Sequence, residues 1–258
     1  MDPRIALAAF DRQLRRTPEP DGPDVMIETG ERVVRTISPG WTGVVWSDLD
    51  EATVDRVIAA ELARFAELGR PWEWKHYSYD GPADLAERLL AAGFVPEAPE
   101  TLLVAEIADL ELEVPAPDGV RLVPVVGSEG ANDLVAVHDE VFGGDHSKIG
   151  DTVLAGLAQQ PATLAAVVAM AGDLAVSAGR VEFHQGTEFA SIWGGGTLPA
   201  WRGRGVFRSL VAHRAALAAA RGLRYLQVDA TPDSRPILRR LGFVELATTT
   251  AYNHPGVV

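Results

Sequence analysis

The chain contains no cysteine. That excludes a disulfide framework, a cysteine-ligated zinc finger and a thiol nucleophile. It also has no run approaching the roughly 20 apolar residues of a membrane-spanning helix. The stretch LAAVVAMA at residues 164–171 is too short and leads into a Gly-Asp turn. The first twenty residues, MDPRIALAAFDRQLRRTPEP, lack the apolar core and small-residue cleavage pattern of a secretory signal. A positive charge balance is missing too, the net charge being −13 at pH 7. An acidic chain repels phosphate backbones, which argues against a nucleic-acid binder. The charge can draw cationic amines, but the acidic residues are dispersed, which favours a role in solubility over steering. With 258 residues, 47% of them hydrophobic, a core can be buried in one large domain or two small ones. The expectation is a cytoplasmic globular protein, monomer or homodimer, with no membrane, nucleic-acid or metal partner.

Two stretches look alike. HYSYDGPADLAERLLAAGFVPEAPET at 76–101 aligns without a gap on YLQVDATPDSRPILRRLGFVELATTT at 225–250. The alignment sets Asp80 on Asp229, Asp84 on Asp233, Leu89 on Leu238, and Gly93-Phe94-Val95 on Gly242-Phe243-Val244. A shared order of strand, turn, helix, Gly-Phe and strand predicts a duplicated supersecondary unit. In the C-terminal half the pattern predicts strands at 120–126, 164–170, 174–183, 189–198, 223–229 and 243–252. Helices are predicted at 133–142, 152–159, 206–221 and 234–241. The N-terminal half offers a strand at 43–47, a helix at 54–68 and a strand around 101–107. The segment EVPAPDG, with two prolines and a glycine, reads as a linker at 113–118 between domains at 1–112 and 119–258. Strands mixed with helices in this order predict an α/β (α+β) fold in two lobes.

The segment with most chemical content is Thr197-Leu198-Pro199-Ala200-Trp201-Arg202-Gly203-Arg204-Gly205-Val206-Phe207. A strand ends, a short polar loop follows and a helix begins. The first turn of a helix leaves backbone N–H groups without partners, and the helix dipole adds positive charge there. That is an anion site. Gly203 and Gly205 let the backbone curl round a phosphate, and Arg202 and Arg204 can add charge-assisted hydrogen bonds. Read alone, the loop is also compatible with an ordinary Arg/Gly-rich turn. A dinucleotide fingerprint is the third possibility, but it requires a small residue where Arg208 stands.

Arg202-x-x-Gly205-x-Phe207 resembles the acetyl-CoA signature of the GNAT (GCN5-related N-acetyltransferase) superfamily, Gln/Arg-x-x-Gly-x-Gly/Ala. Its flanks match as well. Thr197-Leu198-Pro199 resembles the segment before that loop, and Leu238-x-x-x-Gly242-Phe243 the late helix ending in Gly-Phe. The resemblance covers roughly residues 119–258. It implies two GNAT-like lobes, each a mixed, mostly antiparallel sheet flanked by helices, with the N-terminal copy degenerate. It implies an acetyl-CoA-dependent N-acetyltransferase that moves an acetyl group to a small-molecule or peptide amine by direct attack in a ternary complex. The amides of Gly203, Arg204, Gly205, Val206 and Phe207 would hold the pyrophosphate. Thr197 and Leu198 would present main-chain groups to the pantetheine arm and acetyl carbonyl, and the strands 189–198 and 223–229 would splay to admit the cofactor. Ser234 and Arg235 would contact the far end of CoA, although Arg235 reads equally as the partner of an acidic surface residue.

Three positions depart from the family pattern. Phe207 replaces a Gly or Ala. Leu238 stands where many relatives carry a proton-donating tyrosine, and Ser191 where histone-acetylating relatives carry a glutamate base. These losses motivate an alternative, a non-catalytic acyl-CoA-binding or regulatory protein. The remaining candidates for a base are Asp229, at the end of its strand, and Glu182, His184 and Glu188; Asp229 has the best address, and also reads as a plain turn residue. Gly194-Gly195-Gly196 reads either as room for the acetyl group or acceptor, centred on Gly195, or as a bulge. Trp193 can wall the acceptor pocket or pack in the core. In the N-terminal half, Asp48 to Thr53 places capping chemistry where the phosphate loop would be. A carboxylate there repels a phosphate, so that half is expected to bind no CoA. Trp41, Trp46, Trp72 and Trp74 read as aromatic core more readily than as a pocket lining.

Overall fold

A computed structural model describes residues 1–20 and 24–256. The helices are α1 (Pro3–Phe10), α2 (Val54–Ala66), α3 (Leu85–Ala91), α4 (Ser128–Phe142), α5 (Ser147–Ala158), α6 (Val206–Ala219) and α7 (Arg235–Arg240). The strands of the N-terminal half are β1 (Met26–Thr29), β2 (Val33–Ile37), β3 (Thr42–Ser47), β4 (Trp72–Tyr77), β5 (Val95–Pro96) and β6 (Glu100–Glu106). Those of the C-terminal half are β7 (Val120–Pro124), β8 (Leu164–Ala171), β9 (Leu174–Phe183), β10 (Phe189–Thr197), β11 (Tyr225–Ala230) and β12 (Val244–His254). The fold is mixed α/β, with mostly antiparallel strands flanked by helices. Among the described residues no helix is long and apolar enough to cross a membrane.

The chain separates into two compact units. One comprises Asp2–Leu103, Asp229–Pro236 and Glu245–Val258; the other comprises Met1, Val104–Val228 and Ile237–Val244. The boundaries thus interleave along the chain. The Pro-rich stretch 113–118 lies inside the second unit, where Pro117 accepts a backbone bond from Val120 at 2.9 Å. Most of β12 belongs with the N-terminal half, because it pairs antiparallel with β4 from Thr249↔Tyr77 to His254↔Trp72.

In the first unit the strands run β1-β2-β3-β4-β12-β6. Alternation along β4 sends Trp72 and Trp74 to one face, where they meet α2 and α3 through Phe65, Leu85, Leu89 and Phe94. Phe65 stacks on Trp72 with ring centroids 4.0 Å apart. Fully burying a side chain of this size contributes about 2–3 kcal/mol. Tyr77, of opposite parity, packs on Phe10 of α1. Helix α1 begins on Asp2, whose carboxylate accepts the Arg4 N–H at 2.8 Å, and has proline in its first turn. It widens into a π-helical turn, Asp11–Arg16, that delivers Arg15 into the protein.

Arg15 is 2% exposed. It forks onto both oxygens of Asp80, at 2.9 and 2.8 Å, and donates to the Val45 carbonyl and the Tyr79 hydroxyl. Burial works to lower the guanidinium pKa, but Asp80, with Tyr79 and Tyr77, more than reverses that and the net shift is upward.

In the second unit the order is β6-β11-β10-β9-β8-β7. Leu164, Ala166 and Val168 of β8 face α4 and α5 through Leu134, Val137 and Val153, while Val167 and Ala169 face α6 through Val206 and Leu210. Helices therefore cover both faces. Helix α4 starts earlier than the 133–142 expected, and α5 starts at Ser147 rather than 152, where the Asp145 carboxylate accepts the Ser147 N–H at 2.9 Å.

The duplicated motif is present in three dimensions. Shifted by the same offset, α3 falls on α7. Gly93 (φ +94°) and Gly242 (φ +106°) both end their helices in the left-handed region. Phe94 N–H bonds Leu89 O at 3.1 Å, and Phe243 N–H bonds Leu238 O at 3.2 Å. These are the same C-terminal cap. Asp80→Asn strips the charge from a buried fork and leaves Arg15 with the more exposed Asp11 as its one carboxylate among the described residues. Urea unfolding of this variant is expected to show a loss of about 3–5 kcal/mol.

Candidate functional site

The site begins where two parallel strands part. The β10–β11 ladder runs Phe189↔Tyr225, Ala190↔Leu226, Ser191↔Gln227 and stops. Strand β10 continues to Thr197, paired only with β9. At its end the Leu198 N–H donates to Val176 O at 2.9 Å. Alternation turns the N–H and C=O of Thr197 to the opposite, unladdered edge. There the Arg202 Nε donates to Thr197 O at 3.1 Å. The sequence-predicted splay is in place at Ser191, whose hydroxyl donates to Gln227 Oε1 at 2.6 Å and ties the strands at the fork.

Beyond the open edge lies the glycine loop. Gly203 (φ +73°) and Gly205 (φ +90°) both occupy the left-handed region, and Gly205 is the residue before α6. No side chain caps this helix. The N–H groups of its first turn therefore point outward without an intrahelical acceptor. Arg202 and Arg204 are exposed beside them, Arg204 with its guanidinium 4.8 Å from the Trp201 ring. Arg208, one turn on, pairs with Glu111 at 2.5 Å.

A cavity of about 580 Å³ opens along the same helix. Val211, Ala212 and Ala215 of α6 and Ile237 and Leu241 from the α7 region give it an apolar floor, and Arg208 and Arg240 add positive charge. Sequence reasoning did not place these residues at a binding site. Their signal was that α6 is apolar on a second face as well as the face carrying Val206 and Leu210.

The three glycines of β10 are explained by their neighbours. The β9–β10 register shifts between Trp193 and Gly196, which is a bulge. Gly194 has φ +59°, and a Cβ there would lie 2.5 Å from the His138 ring. At Gly195 it would lie 3.0 Å from the Phe207 ring and 3.2 Å from Arg214 Nη2, and at Gly196 3.0 Å from Val141. Successive glycines thus admit side chains from α4, α6 and α4 again. Phe207 turns its ring down onto β10, as its place in the first helical turn allows. Trp193 is partly buried, its indole N–H has no partner among the described residues, and its carbonyl accepts from Arg214.

The proton-transfer candidates are dispersed. His184 Nε2 lies 2.7 Å from Ser191 Oγ, so the imidazole sits at the fork. Glu182 pairs with Arg180 at 2.7 Å and Glu188 with Arg224 at 3.6 Å. Leu238 is buried in α7. Asp229 is 7% exposed, two residues beyond Gln227 on the same face of β11, and bonded to Lys75 Nζ at 3.1 Å. It is a buried ion-pair member, as its counterpart Asp80 is with Arg15. Ser234 turns back on Thr231, and Arg235 forks onto Glu245 at 2.8 and 2.6 Å, the surface pairing anticipated as the alternative to a CoA contact.

At the β3–α2 corner of the first unit, Asp50 Oδ1 accepts the N–H groups of Ala52 and Thr53 at 3.0 and 2.9 Å. The protein's own carboxylate stands in the turn before α2, where its charge repels an anion, and fills the Ala52 and Thr53 donors. Trp72 and Trp74 are core, while the Trp41 indole donates to Glu73 at 2.6 Å and Trp46 lies under Arg16.

Lys75 and Asp229 share their surroundings with Glu73, Glu97 and Glu100. Burial pushes Glu100 up to about 7; Lys75 opposes this and Asp229, Glu97 and Glu73 reinforce it. Between the ordinary 4.5 and about 7, the folded chain holds a proton that the unfolded chain releases. This group's effect is therefore a stability that falls as pH rises through that window. Denaturant midpoints at pH 5 and pH 8 should show a smaller fall in Glu100→Gln than in the wild type.

No family model matches the sequence, and no curated protein does. Solved structures do. A GCN5-related N-acetyltransferase from Kribbella flavida superposes with a TM-score of 0.67 at 20% identity, covering 98% of this chain and 95% of that one. A second, from Sphaerobacter thermophilus, gives 0.60 at 12% identity over 90% and 82%. A tandem GNAT protein from the clavulanic acid biosynthesis pathway gives 0.58 at 14% identity over 98% and 88%. The chain has the fold of the GCN5-related N-acetyltransferases.

Proposed function

We propose that the protein is an acetyl-CoA-dependent N-acetyltransferase with one cofactor site, in its second unit. The observation that carries this reading is the unpaired edge of β10 running directly into the uncapped, glycine-rich start of α6. An extended arm bearing amides pairs with such an edge as a strand would. A pyrophosphate at its end meets the outward amides from Gly203 to Phe207, with Arg202 and Arg204 adding charge. The nucleotide end turns along α6, where the cavity with Arg208 and Arg240 supplies an apolar floor and positive charge. The thioester carbonyl lies at the open edge near the Thr197 N–H.

In the reaction the lone pair of a neutral amine attacks the thioester carbon. The oxygen gains negative charge, which backbone N–H groups stabilise. The carbon–sulfur bond then breaks, CoA leaves as thiolate, and the nitrogen gives up one proton. Holding both substrates in one complex replaces much of the work of a base. Asp229, at the end of β11, is assigned to receive the proton. The acidic surface favours a cationic small-molecule or peptide amine as acceptor.

Calorimetric titration tests the cofactor site. Acetyl-CoA should bind once per chain. Gly205→Asp, which adds a carboxylate and a side chain at a φ of +90°, should abolish the heat. Ala52→Asp, at the corner already filled by Asp50, should leave it unchanged. Equal loss in both variants would refute a single site.

A further inference from the structure

The bulge in β10 frees two carbonyls, and each is taken by a buried titratable side chain from a different helix. His138 of α4 places Nε2 2.8 Å from Gly194 O. Arg214 of α6 places Nη1 3.4 Å from Trp193 O and 3.2 Å from the carbonyl of Arg180, the residue opposite Trp193 on β9. Its Nε bonds Leu210 O of its own helix at 3.1 Å. Because α4 and α6 cover opposite faces of the sheet, the bulge is gripped from both sides.

We propose that His138 and Arg214 are positioning residues that hold the bulge of β10 and so aim its open edge at the thioester carbonyl. The inference rests on the acetyl-CoA reading above. Three features separate it from ordinary packing. Arg214 is 1% exposed yet among the described residues it bonds only carbonyls, and its Nη2 has no hydrogen-bond partner there. Burial, with Arg180 nearby, lowers its pKa to about 9. A buried cation with an orphaned donor costs stability, which marks it as kept for another purpose. Second, glycine at 179 and at 195 makes room for this one guanidinium, since a Cβ at Gly179 would lie 2.7 Å from Nη1. Third, burial pushes His138 down to about 4, so at neutral pH the ring is uncharged and donates Nε2–H to Gly194 O. Arg214 also links the two ends of the ligand, because α6 carries the phosphate loop at its start and grips the bulge from its middle.

The test compares calorimetric affinities for acetyl-CoA and CoA in His138→Leu, His138→Gln, Arg214→Met and Arg214→Lys, with circular dichroism and melting as controls of folding. The phosphate loop is untouched, so CoA affinity should stay within about threefold of wild type. The preference for acetyl-CoA should fall at least tenfold in His138→Leu and Arg214→Met. His138→Gln, whose amide reaches the position of Nε2, should restore it. Arg214→Lys keeps the charge but loses the fork, and should fall between. Equal wild-type affinity for the two ligands, or a folded His138→Leu that keeps the wild-type preference, overturns the clamp. If the wild type binds no CoA, the cofactor reading itself fails. Once an acceptor amine is known, kcat should fall in the broken variants while the KM of the amine holds.

Discussion

The second unit is organised round unsatisfied backbone donors. Strand β10 leaves its partner β11 after Ser191 and never regains one on that side. Helix α6 then starts with no side chain on its first-turn amides. Buried or half-buried N–H groups rarely stay unpaired unless a ligand or water takes them. The chemistry around these donors follows from that constraint. Gly203 and Gly205 keep the loop open, Phe207 folds onto Gly195 and away from the loop, and Arg202 fastens the corner to Thr197.

The first unit uses the same local geometry for stability. At its β3–α2 corner Asp50 takes the Ala52 and Thr53 N–H groups of the turn before the helix, which puts a carboxylate where α6 has its glycine loop. Where the two similar stretches carry equivalent aspartates, each is ion-paired, Asp80 with the buried Arg15 and Asp229 with the partly buried Lys75. The two similar stretches thus share an ion-paired aspartate, while only the second unit has a glycine loop before the helix.

Much of this was legible in the sequence where a feature is local. The glycine loop, the strand before it, the gapless repeat and the acidic turn at 48–53 all follow from spacing and from the chemistry of helix ends. Strand β9 was predicted with its observed bounds, since its run of apolar residues lies between two turns. What sequence reading missed was tertiary or masked. Helix α1 announces itself through Asp2 and Pro3, but was read only for the absence of a signal peptide. Strands β1 and β2 are short and mixed in polarity. Gly130 and Asn132 hide the first turns of α4. The partner of Asp229 lies more than 150 positions away on β4, and nothing near Asp229 hints at it. The glycine triplet was visible, but which side chains fill each gap depends on two helices distant in sequence.

An anion bound at the glycine loop before α6, and none at the acidic turn before α2, would be reported by the amides themselves. The most direct measurement is a ¹⁵N–¹H correlation spectrum of labelled protein titrated with CoA. The account predicts large shifts confined to the amides of Gly203 through Arg208 and the open edge of β10, with Asp50 to Thr53 unmoved. Shifts at Asp50–Thr53, or a loop at 203–208 that ignores saturating CoA, would contradict it.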